Sequence, residues 1–208
     1  MNEKRNYQRE LEELLTTFTI RPTLLLHCCC APCSSYSLEY LSSYFDITVF
    51  FYNPNITEQE EYEKRRTEEI RFLQEYPFYN PVHWMEAEFQ PEQFWKIADG
   101  LENVPEGGIR CFQCYELRLR QTAKAAKVGN FDYFCTTLSI SPHKNADKLM
   151  EIGEKLQKEY QVKYLPTDLK KKNGYKRSIE LSGEYHLYRQ NYCGCIFSKL
   201  SAGKRDAK

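Results

Sequence analysis

Seven of the nine cysteines in this 208-residue chain fall in three short groups that could bind metal. The groups are Cys29, Cys30 and Cys33; Cys111 and Cys114; and Cys193 and Cys195. Thiolates are ligands of zinc and of iron–sulfur clusters. Because seven soft ligands exceed the four that a structural zinc requires, a single closed zinc site is an incomplete explanation. The grouping favours an iron–sulfur cluster together with a second metal or reactive thiols.

The local context of the cysteines refines this prediction. Cys111 and Cys114 form a C-x-x-C pair at a predicted helix start, where amide N–H groups and the helix dipole lower thiol pKa values. Three consecutive cysteines at 28–30 cannot all face one site unless the backbone turns, because strand side chains alternate. We therefore assign Cys28 to core packing, and Cys135 to packing within another predicted strand.

The bulk properties exclude several protein classes. An odd number of cysteines does not suit a closed disulfide set, and we find no secretory leader and no apolar run long enough to span a bilayer. We therefore expect a cytoplasmic protein without membrane contact. The net charge is zero, but residues 1–104 carry −9 and residues 105–208 carry +9. A local basic face can bind phosphates even when the net charge of the protein is zero, although such a face is equally typical of an ordinary solvated surface.

The elements that must position the cysteines alternate between strands and helices. Apolar runs predict strands at 22–30, 46–55, 81–86, 131–138 and 161–168. Helical spacing predicts helices at 7–18, 34–45, 58–75, 111–127, 143–159 and 175–187, the third with a capping box formed by Thr57 and Glu60. This alternation predicts a single α/β domain over 1–208 with an open, mainly parallel sheet flanked by helices and a loose tail at 201–208.

The predicted topology places the first cysteine group at a functional position. Open α/β sheets bind ligands beyond the carboxyl ends of their strands, which is where residues 28–33 leave the first strand. No glycine-rich loop of the Walker, dinucleotide or ATP-pyrophosphate type is found, so nucleotide activation is unsupported. His27 could donate a proton there, although a core histidine is the favoured interpretation.

Six segments carry a pattern far more specific than a lone C-x-x-C. They are CCAPC at 29–33, FFYNPNI with EYEKR within 50–65, PEGGIRCFQCYELRL at 105–119, TTLSISPHKN at 136–145, DLKKKNGY at 168–175 and LYRQNYCGCIFS at 187–198. Together they resemble the QueH family of cobalamin-independent epoxyqueuosine reductases over nearly the whole chain. The resemblance implies a fold similar to sulfurtransferase-like (HUP/Rossmann-like) tRNA-modifying enzymes.

The resemblance also implies an activity and its cofactors. The activity is the last step of queuosine biosynthesis: reductive removal of the epoxide oxygen of epoxyqueuosine at the wobble position of tRNAs with GUN anticodons, those for tyrosine, histidine, aspartate and asparagine. The cofactors would be a 4Fe–4S cluster and a separate mononuclear iron, without cobalamin, served by an unidentified electron donor. We expect a second iron, held partly by Cys193 and Cys195, to bind the epoxide oxygen. Some family members carry aspartate where Cys33 stands here.

Carried onto this sequence, the resemblance implies three sets of site residues. The metal ligands would be Cys29, Cys30, Cys33, Cys111, Cys114, Cys193 and Cys195. The proton-donor candidates are Tyr52, Tyr115, Tyr192 and His27. The tRNA-binding candidates are Arg110, Lys144, Lys170, Lys171, Lys172, Lys176, Arg177 and Arg189.

Three other functions stay open on the residues alone. The fold and the soft ligands suit an iron–sulfur tRNA sulfurtransferase, although the missing ATP loop counts against it. A metal-storage or cluster-scaffold protein would also concentrate thiols. A zinc-stabilised RNA-binding module is the third alternative.

Overall fold

A five-stranded sheet forms the centre of the computed structural model, which describes residues 5–206. Its strands are β1 (Thr23–His27), β2 (Asp46–Phe50), β3 (Val82–Met85), β4 (Tyr133–Thr136) and β5 (Lys163–Tyr164). The strand order is β3-β2-β1-β4-β5, and all four pairings are parallel. The predicted open α/β sheet is confirmed, and it is wholly parallel within the described residues.

Eight α-helices within residues 5–206 flank this sheet. They are α1 (Tyr7–Leu15), α2 (Ala31–Leu41), α3 (Gln59–Glu75), α4 (Pro91–Ala98), α5 (Ile109–Val128), α6 (Ala146–Tyr160), α7 (Gly174–Glu184) and α8 (Ile196–Asp206), with a short 3₁₀ helix at Thr137–Ile140. Six of the eight match predicted helices, whereas α4 and α8 were not predicted. No helix in this range is both long and apolar enough to cross a bilayer.

Two apolar layers hold the helices against the sheet. Leu24 and Leu26 of β1 pack on one face with residues such as Leu38 of α2. Leu25, between them in sequence, packs on the opposite face with residues such as Leu119 of α5. Side chains of a strand alternate between faces, so this continuous leucine run is typical of a parallel strand covered on both sides.

The position of β1 determines where a ligand can bind. It lies in the middle of the sheet, between β2 on one side and β4 on the other. The chain runs outward from β1 to β2 and β3 and then returns to β4 on the other side of β1, so the connections after β1 and β4 diverge at their carboxyl ends. Such a switch point opens a crevice in which doubly wound sheets bind their ligands.

Two local predictions differ from the structure. The capping box of Thr57 and Glu60 is wrong, because α3 takes Glu58 as its N-cap and no side chain caps it. Helix α8 extends to Asp206, where we had predicted a loose tail from 201; its buried residue Ala202 ties the helix to the rest of the fold. Residues 207–208 lie outside the described range.

A glycine in α6 tests how tightly this helix packs on the sheet. A Cβ at Gly153 would overlap the ring of the buried Tyr164, whereas a Cβ at Gly183 of α7 would meet nothing within 4 Å. We expect Gly153→Ala to lower the free energy of unfolding by about 1–3 kcal/mol, despite the better helix propensity of alanine. The matched Gly183→Ala should raise it by about 0.5–1 kcal/mol. Urea unfolding of the two variants measures both changes in the free energy of unfolding. If both substitutions stabilised the protein, or both destabilised it, the packing argument would be contradicted.

Candidate metal centre

The chain turns sharply where β1 ends, and this turn presents the first cysteine group. The backbone N–H of Cys28 still donates to Phe50 O (3.1 Å), which continues the ladder with β2. The side chain of Asn53 donates to Cys28 O (2.8 Å) and fixes the turn. Cys30 is then the N-cap of α2, in an extended conformation. Cys28 itself is fully buried in the apolar core, as the alternation argument predicts.

The sulfur atoms of Cys29, Cys30 and Cys33 form one compact group. All three lie within 4.8 Å of one another, and the Cys29 and Cys30 sulfurs are 3.8 Å apart. Hydrogen bonds from Cys29 and Cys33 hold the pKa of Cys30 well below its usual range. Hydrogen bonds with Cys29 and Cys30 raise the pKa of Cys33. The group thus favours a thiolate sulfur, which is the form that binds a metal.

The second group lies in the first turns of α5. The helix begins after Gly107, whose φ of +86° suits glycine, and the Gly107 N–H donates to the Cys111 sulfur (3.3 Å). The expected lowering of thiol pKa is wrong for Cys114, because burial raises its pKa to about 12 while the charge of Arg118 opposes the shift. Loss of solvation outweighs the helix dipole at this depth.

The third group depends on a glycine turn before α8. Gly194 has a φ of +120°, and a Cβ there would lie 2.9 Å from Ile56 and 3.2 Å from the Arg65 guanidinium. Only glycine fits this conformation and this space. Arg65 also donates to Cys193 O (3.2 Å), which ties the turn to α3. Cys193 and Cys195 are thereby held next to the other cysteines.

All seven predicted ligands border two adjoining spaces at the carboxyl edge of the sheet. A small cavity is lined by Cys111, Cys114, Cys193 and Cys195. A cleft of about 720 Å³ is lined by Cys29, Cys30, Cys33 and Cys193. Cys193, Arg118, Lys144 and Glu106 border both spaces. Three segments that are remote in sequence therefore meet in one place.

Lys144 enters this place from the loop before α6. Its Nζ donates to the Cys193 sulfur (3.1 Å) and lies 3.7 Å from a carboxylate oxygen of Glu106. Burial by itself lowers the pKa of Lys144, but Cys193 and Tyr115 outweigh it and raise the pKa overall. Lys144 therefore stays positively charged beside the thiols. The nearly buried ammonium group thus faces sulfur, and the role of Lys144 in binding tRNA stays a prediction.

Comparison with known proteins identifies the family. The family model described as "Epoxyqueuosine reductase QueH" matches residues 24–201. The chain belongs to the QueH family. A protein from Streptococcus pyogenes serotype M1, named epoxyqueuosine reductase QueH, is 44% identical over 218 residues, covering 100% of this chain and 86% of the relative.

Two further relatives carry the same printed name. One from Staphylococcus epidermidis is 44% identical over 211 residues, 97% of this chain and 88% of the relative. One from Thermotoga maritima is 35% identical over 190 residues, 89% of this chain and 95% of the relative. The predicted resemblance is confirmed, and the sulfurtransferase, scaffold and zinc-module alternatives are not favoured.

Within this QueH-family site, two of the proton-donor candidates lie away from the cavity and the cleft. His27 is fully buried; its Nε2 donates to Tyr52 O (3.0 Å) and its Nδ1 accepts from the Thr136 hydroxyl (2.8 Å). Burial lowers the pKa of His27 to about 4, so the ring is neutral at physiological pH. The Tyr52 hydroxyl donates to Gln90 (3.2 Å). Both residues serve the packing around β1 and β2.

The other two proton-donor candidates line the candidate metal centre. Tyr115 borders the cavity, and burial raises the pKa of its hydroxyl to about 12. Tyr192 borders the cleft next to Cys193, with the Arg65 guanidinium 5.1 Å from its ring centroid. Each of the two tyrosines therefore borders a space that is also lined by cysteines.

The tRNA-binding candidates divide between the interior and the surface. Arg110 is buried, donates to the carbonyls of Leu101 (2.6 Å) and Glu102 (3.0 Å), and presents no charge to solvent. Arg189 lines the cleft. The remaining candidates, near the end of β5 and the start of α7, are Lys170, Lys171, Lys172, Lys176 and Arg177. Several are paired: Lys170 with Asp168, Lys172 with Glu12, and Arg177 with Glu39.

Four buried polar side chains around the QueH site were not predicted from the sequence. They are Asn55, Arg65, Glu69 and Arg118, each at most 1% exposed, and each has atoms without a hydrogen-bond partner among residues 5–206. For three of them, the spacing in the sequence carried a signal. Arg118 follows Cys114 by four residues on one helix, and Arg65 and Glu69 are four apart on another, so each pair shares a face.

Glu69 makes the stability of the fold depend on pH. Burial raises its pKa from 4.5 to about 8; the neighbouring Ser34 hydroxyl, which donates to Ala31 O, only partly opposes the shift. The folded state therefore binds the proton more tightly, so the free energy of unfolding falls as the pH rises from 4.5 to 8. The slope is at most about 1.4 kcal/mol per pH unit.

We expect Glu69→Gln, a neutral isostere, to remove this slope. Relative to the variant, the wild type should lose roughly 1–3 kcal/mol between pH 6 and pH 8. Urea unfolding of the reduced protein at both pH values measures the difference. Glu63→Gln, at an exposed carboxyl of the same helix, is the matched control and should keep the wild-type slope. Parallel pH profiles for wild type and Glu69→Gln would contradict the assignment.

Proposed function

We propose that this protein is an epoxyqueuosine reductase that acts on tRNA. It removes the epoxide oxygen of epoxyqueuosine at the wobble position of GUN anticodons and forms queuosine. The observation that carries the proposal is the convergence of seven thiols on a cavity and an adjoining cleft, in a chain of the QueH family. The named relatives support the same reaction.

The residues present fit an iron–sulfur cofactor. The donor set is sulfur only, which suits iron–sulfur clusters, and its size exceeds the four thiolates that one cluster needs. Asn55, which borders the cavity, leaves both amide atoms without a partner among the described residues, as expected of a side chain that faces a bound group. We infer that the seven thiols together hold a 4Fe–4S cluster and a separate iron. Cys193 borders both spaces and can serve either metal.

The chemistry sets requirements for the rest of the site. Removing an epoxide oxygen to leave an alkene consumes two electrons and two protons and releases water. When bound, the iron centre supplies electrons one at a time and a Lewis acid. The protein must then supply protons, orient the nucleoside and exclude bulk water. Electrons come from a reductant outside this chain.

The cleft has the size and lining to hold the modified nucleoside. Its volume of about 720 Å³ falls within the range of small-molecule sites. Tyr175 and Tyr192 line it with rings on which a base splayed from the anticodon loop can stack, and Arg189 adds a positive charge. The raised pKa of Tyr115 keeps its hydroxyl protonated, so Tyr115 is the proton donor that the cavity offers, with Tyr192 on the cleft side.

An anaerobic assay tests the proposed reaction. Protein reconstituted with iron and sulfide is incubated with epoxyqueuosine-containing tRNA and a chemical reductant, and the nucleosides are then analysed. We expect queuosine only when iron and reductant are both present. Cys193→Ser should lower iron content and cut turnover by at least about tenfold, because serine is a poor ligand for iron. Cys135→Ser, at a buried cysteine beside the Thr167 hydroxyl, is the control and should retain both. Unchanged iron content and turnover in Cys193→Ser would refute its role.

Salt dependence tests the proposed RNA surface. If Lys171 and Lys172 contact phosphates, tRNA affinity should fall steeply with salt, and their joint replacement by alanine should flatten the log–log slope by about 0.7–0.9 per contact. Filter binding or fluorescence anisotropy measures the slope. Replacement of Lys124 and Lys127, which precede β4 at the opposite edge of the sheet, is the matched control. Equal slopes for both double variants would place the RNA elsewhere.

A further inference from the structure

Arg118 is a buried cation that the reaction described above does not use. It lies on α5 one turn after Cys114 and is 1% exposed. Its Nε donates to Cys114 O (3.3 Å), but neither terminal nitrogen has a hydrogen-bond partner among residues 5–206. It forms no ion pair with any carboxylate in that range. A guanidinium stays charged at any physiological pH, so this charge needs a compensating group.

The groups that surround Arg118 are the thiols of the metal centre. Arg118 borders both the cavity and the cleft. The cavity is also lined by Cys114 and Cys193, and the cleft by Cys29. These three cysteines come from the three different cysteine groups. Arg118 is therefore positioned at the junction of all three.

Two other cations of the site have carboxylate partners. Lys144 lies 3.7 Å from Glu106, and the Arg65 Nε donates to Glu61 at 2.7 Å. Each of those positive charges is balanced by a neighbouring carboxylate. Arg118 has no carboxylate within ion-pair distance among residues 5–206, and it borders the same spaces as the thiols.

We propose that Arg118 is a positioning residue of the metal centre: its charge balances the cysteine thiolates, and its terminal amino groups donate hydrogen bonds to metal-bound sulfur. The inference rests on the proposed function only in requiring that the thiols bind metal. A fixed positive charge beside a redox centre also stabilises the form with the extra electron. Arg118 thus favours both metal binding and reduction.

Cobalt binding tests the first part without iron or tRNA. The reduced metal-free protein is titrated with Co²⁺ under anaerobic conditions at fixed pH, and the thiolate-to-cobalt absorption band is followed. We expect Arg118→Met to weaken Co²⁺ binding by at least about tenfold, the effect typical of losing a group that supports metal ligands. Arg118→Lys, which keeps the charge, should remain within about threefold of wild type. Arg120→Met removes the half-buried arginine two residues along the same helix, which pairs with Glu116, and should bind as wild type.

Thermal unfolding separates this role from a merely structural one. Replacing an unpaired buried charge by an apolar side chain of similar length should leave the metal-free fold as stable or more stable. Arg118→Met with a wild-type melting temperature and weakened Co²⁺ binding supports the proposal, whereas unchanged binding overturns it. If Arg118→Met does not fold, Arg118→Gln replaces it. Arg118→Gln must then weaken Co²⁺ binding at least tenfold while Arg118→Lys does not. An equal loss of Co²⁺ affinity in the two variants overturns the proposal.

The reduction potential of the iron-loaded protein tests the second part. We expect Arg118→Met to lower the reduced-to-oxidised ratio at a fixed potential by at least tenfold, a shift of about 59 mV for a one-electron couple. Arg118→Lys should restore most of it, and an unchanged potential in Arg118→Met would remove the redox part of the proposal. If wild-type protein binds Co²⁺ but takes up no iron and produces no queuosine, the proposed function fails while the cobalt result still decides the role of Arg118.

Discussion

The structure depends on one constraint: seven thiols, four of them buried and three partly exposed, lie together at one edge of the sheet, and to bind metal most of them would have to ionise there. Ionising a thiol away from water is unfavourable, as the raised pKa of Cys114 shows. The fold places positively charged side chains next to the thiols. Lys144 donates to the Cys193 sulfur, Arg65 holds the backbone of the same residue, and Arg118 borders both spaces. Three cations at the base of the site make a thiolate-rich centre possible.

The parallel sheet explains why the thiols meet at all. The first group follows β1 directly, and β1 lies between β2 and β4 at the switch point of the sheet. Cys30 caps α2 and Cys111 lies in the first turn of α5, so two helix N-termini approach the same edge. The third group is brought there by the Gly194 turn, which α3 holds through Arg65. Each group is fixed by a different kind of backbone feature.

The arrangement also separates tasks within a small volume. The lining of the cavity includes four cysteines and Tyr115, whereas the lining of the cleft includes Tyr175, Tyr192 and Arg189. Redox chemistry benefits from a protected environment, whereas a tRNA base must enter from outside. Cys193 belongs to both spaces, so the wall between them is formed in part by a metal-ligand candidate. Electron transfer to a base in the cleft therefore requires only a short path.

The sequence by itself determined the fold class, five strands, six helices and the identity of the seven clustered cysteines. These follow from local patterns: apolar runs, helical spacing and the motifs that resemble the QueH family. It also separated Cys28 from its neighbours, since strand alternation is a local rule. Helices α4 and α8 were missed: α4 spans only eight residues, and α8 begins directly after the turn that carries Cys193 and Cys195.

Only the tertiary structure decided which charged residues belong to the site. From the sequence, Lys144 and Arg110 resemble surface cations, and Arg118 and Glu69 resemble ordinary helix residues. Their burial results from packing between elements remote in the chain, and burial is what turns a solvated charge into a strong interaction with a thiol. The charge balance of the metal centre is therefore a property of the folded chain, because the dielectric environment of each side chain is set by neighbours that no local pattern specifies.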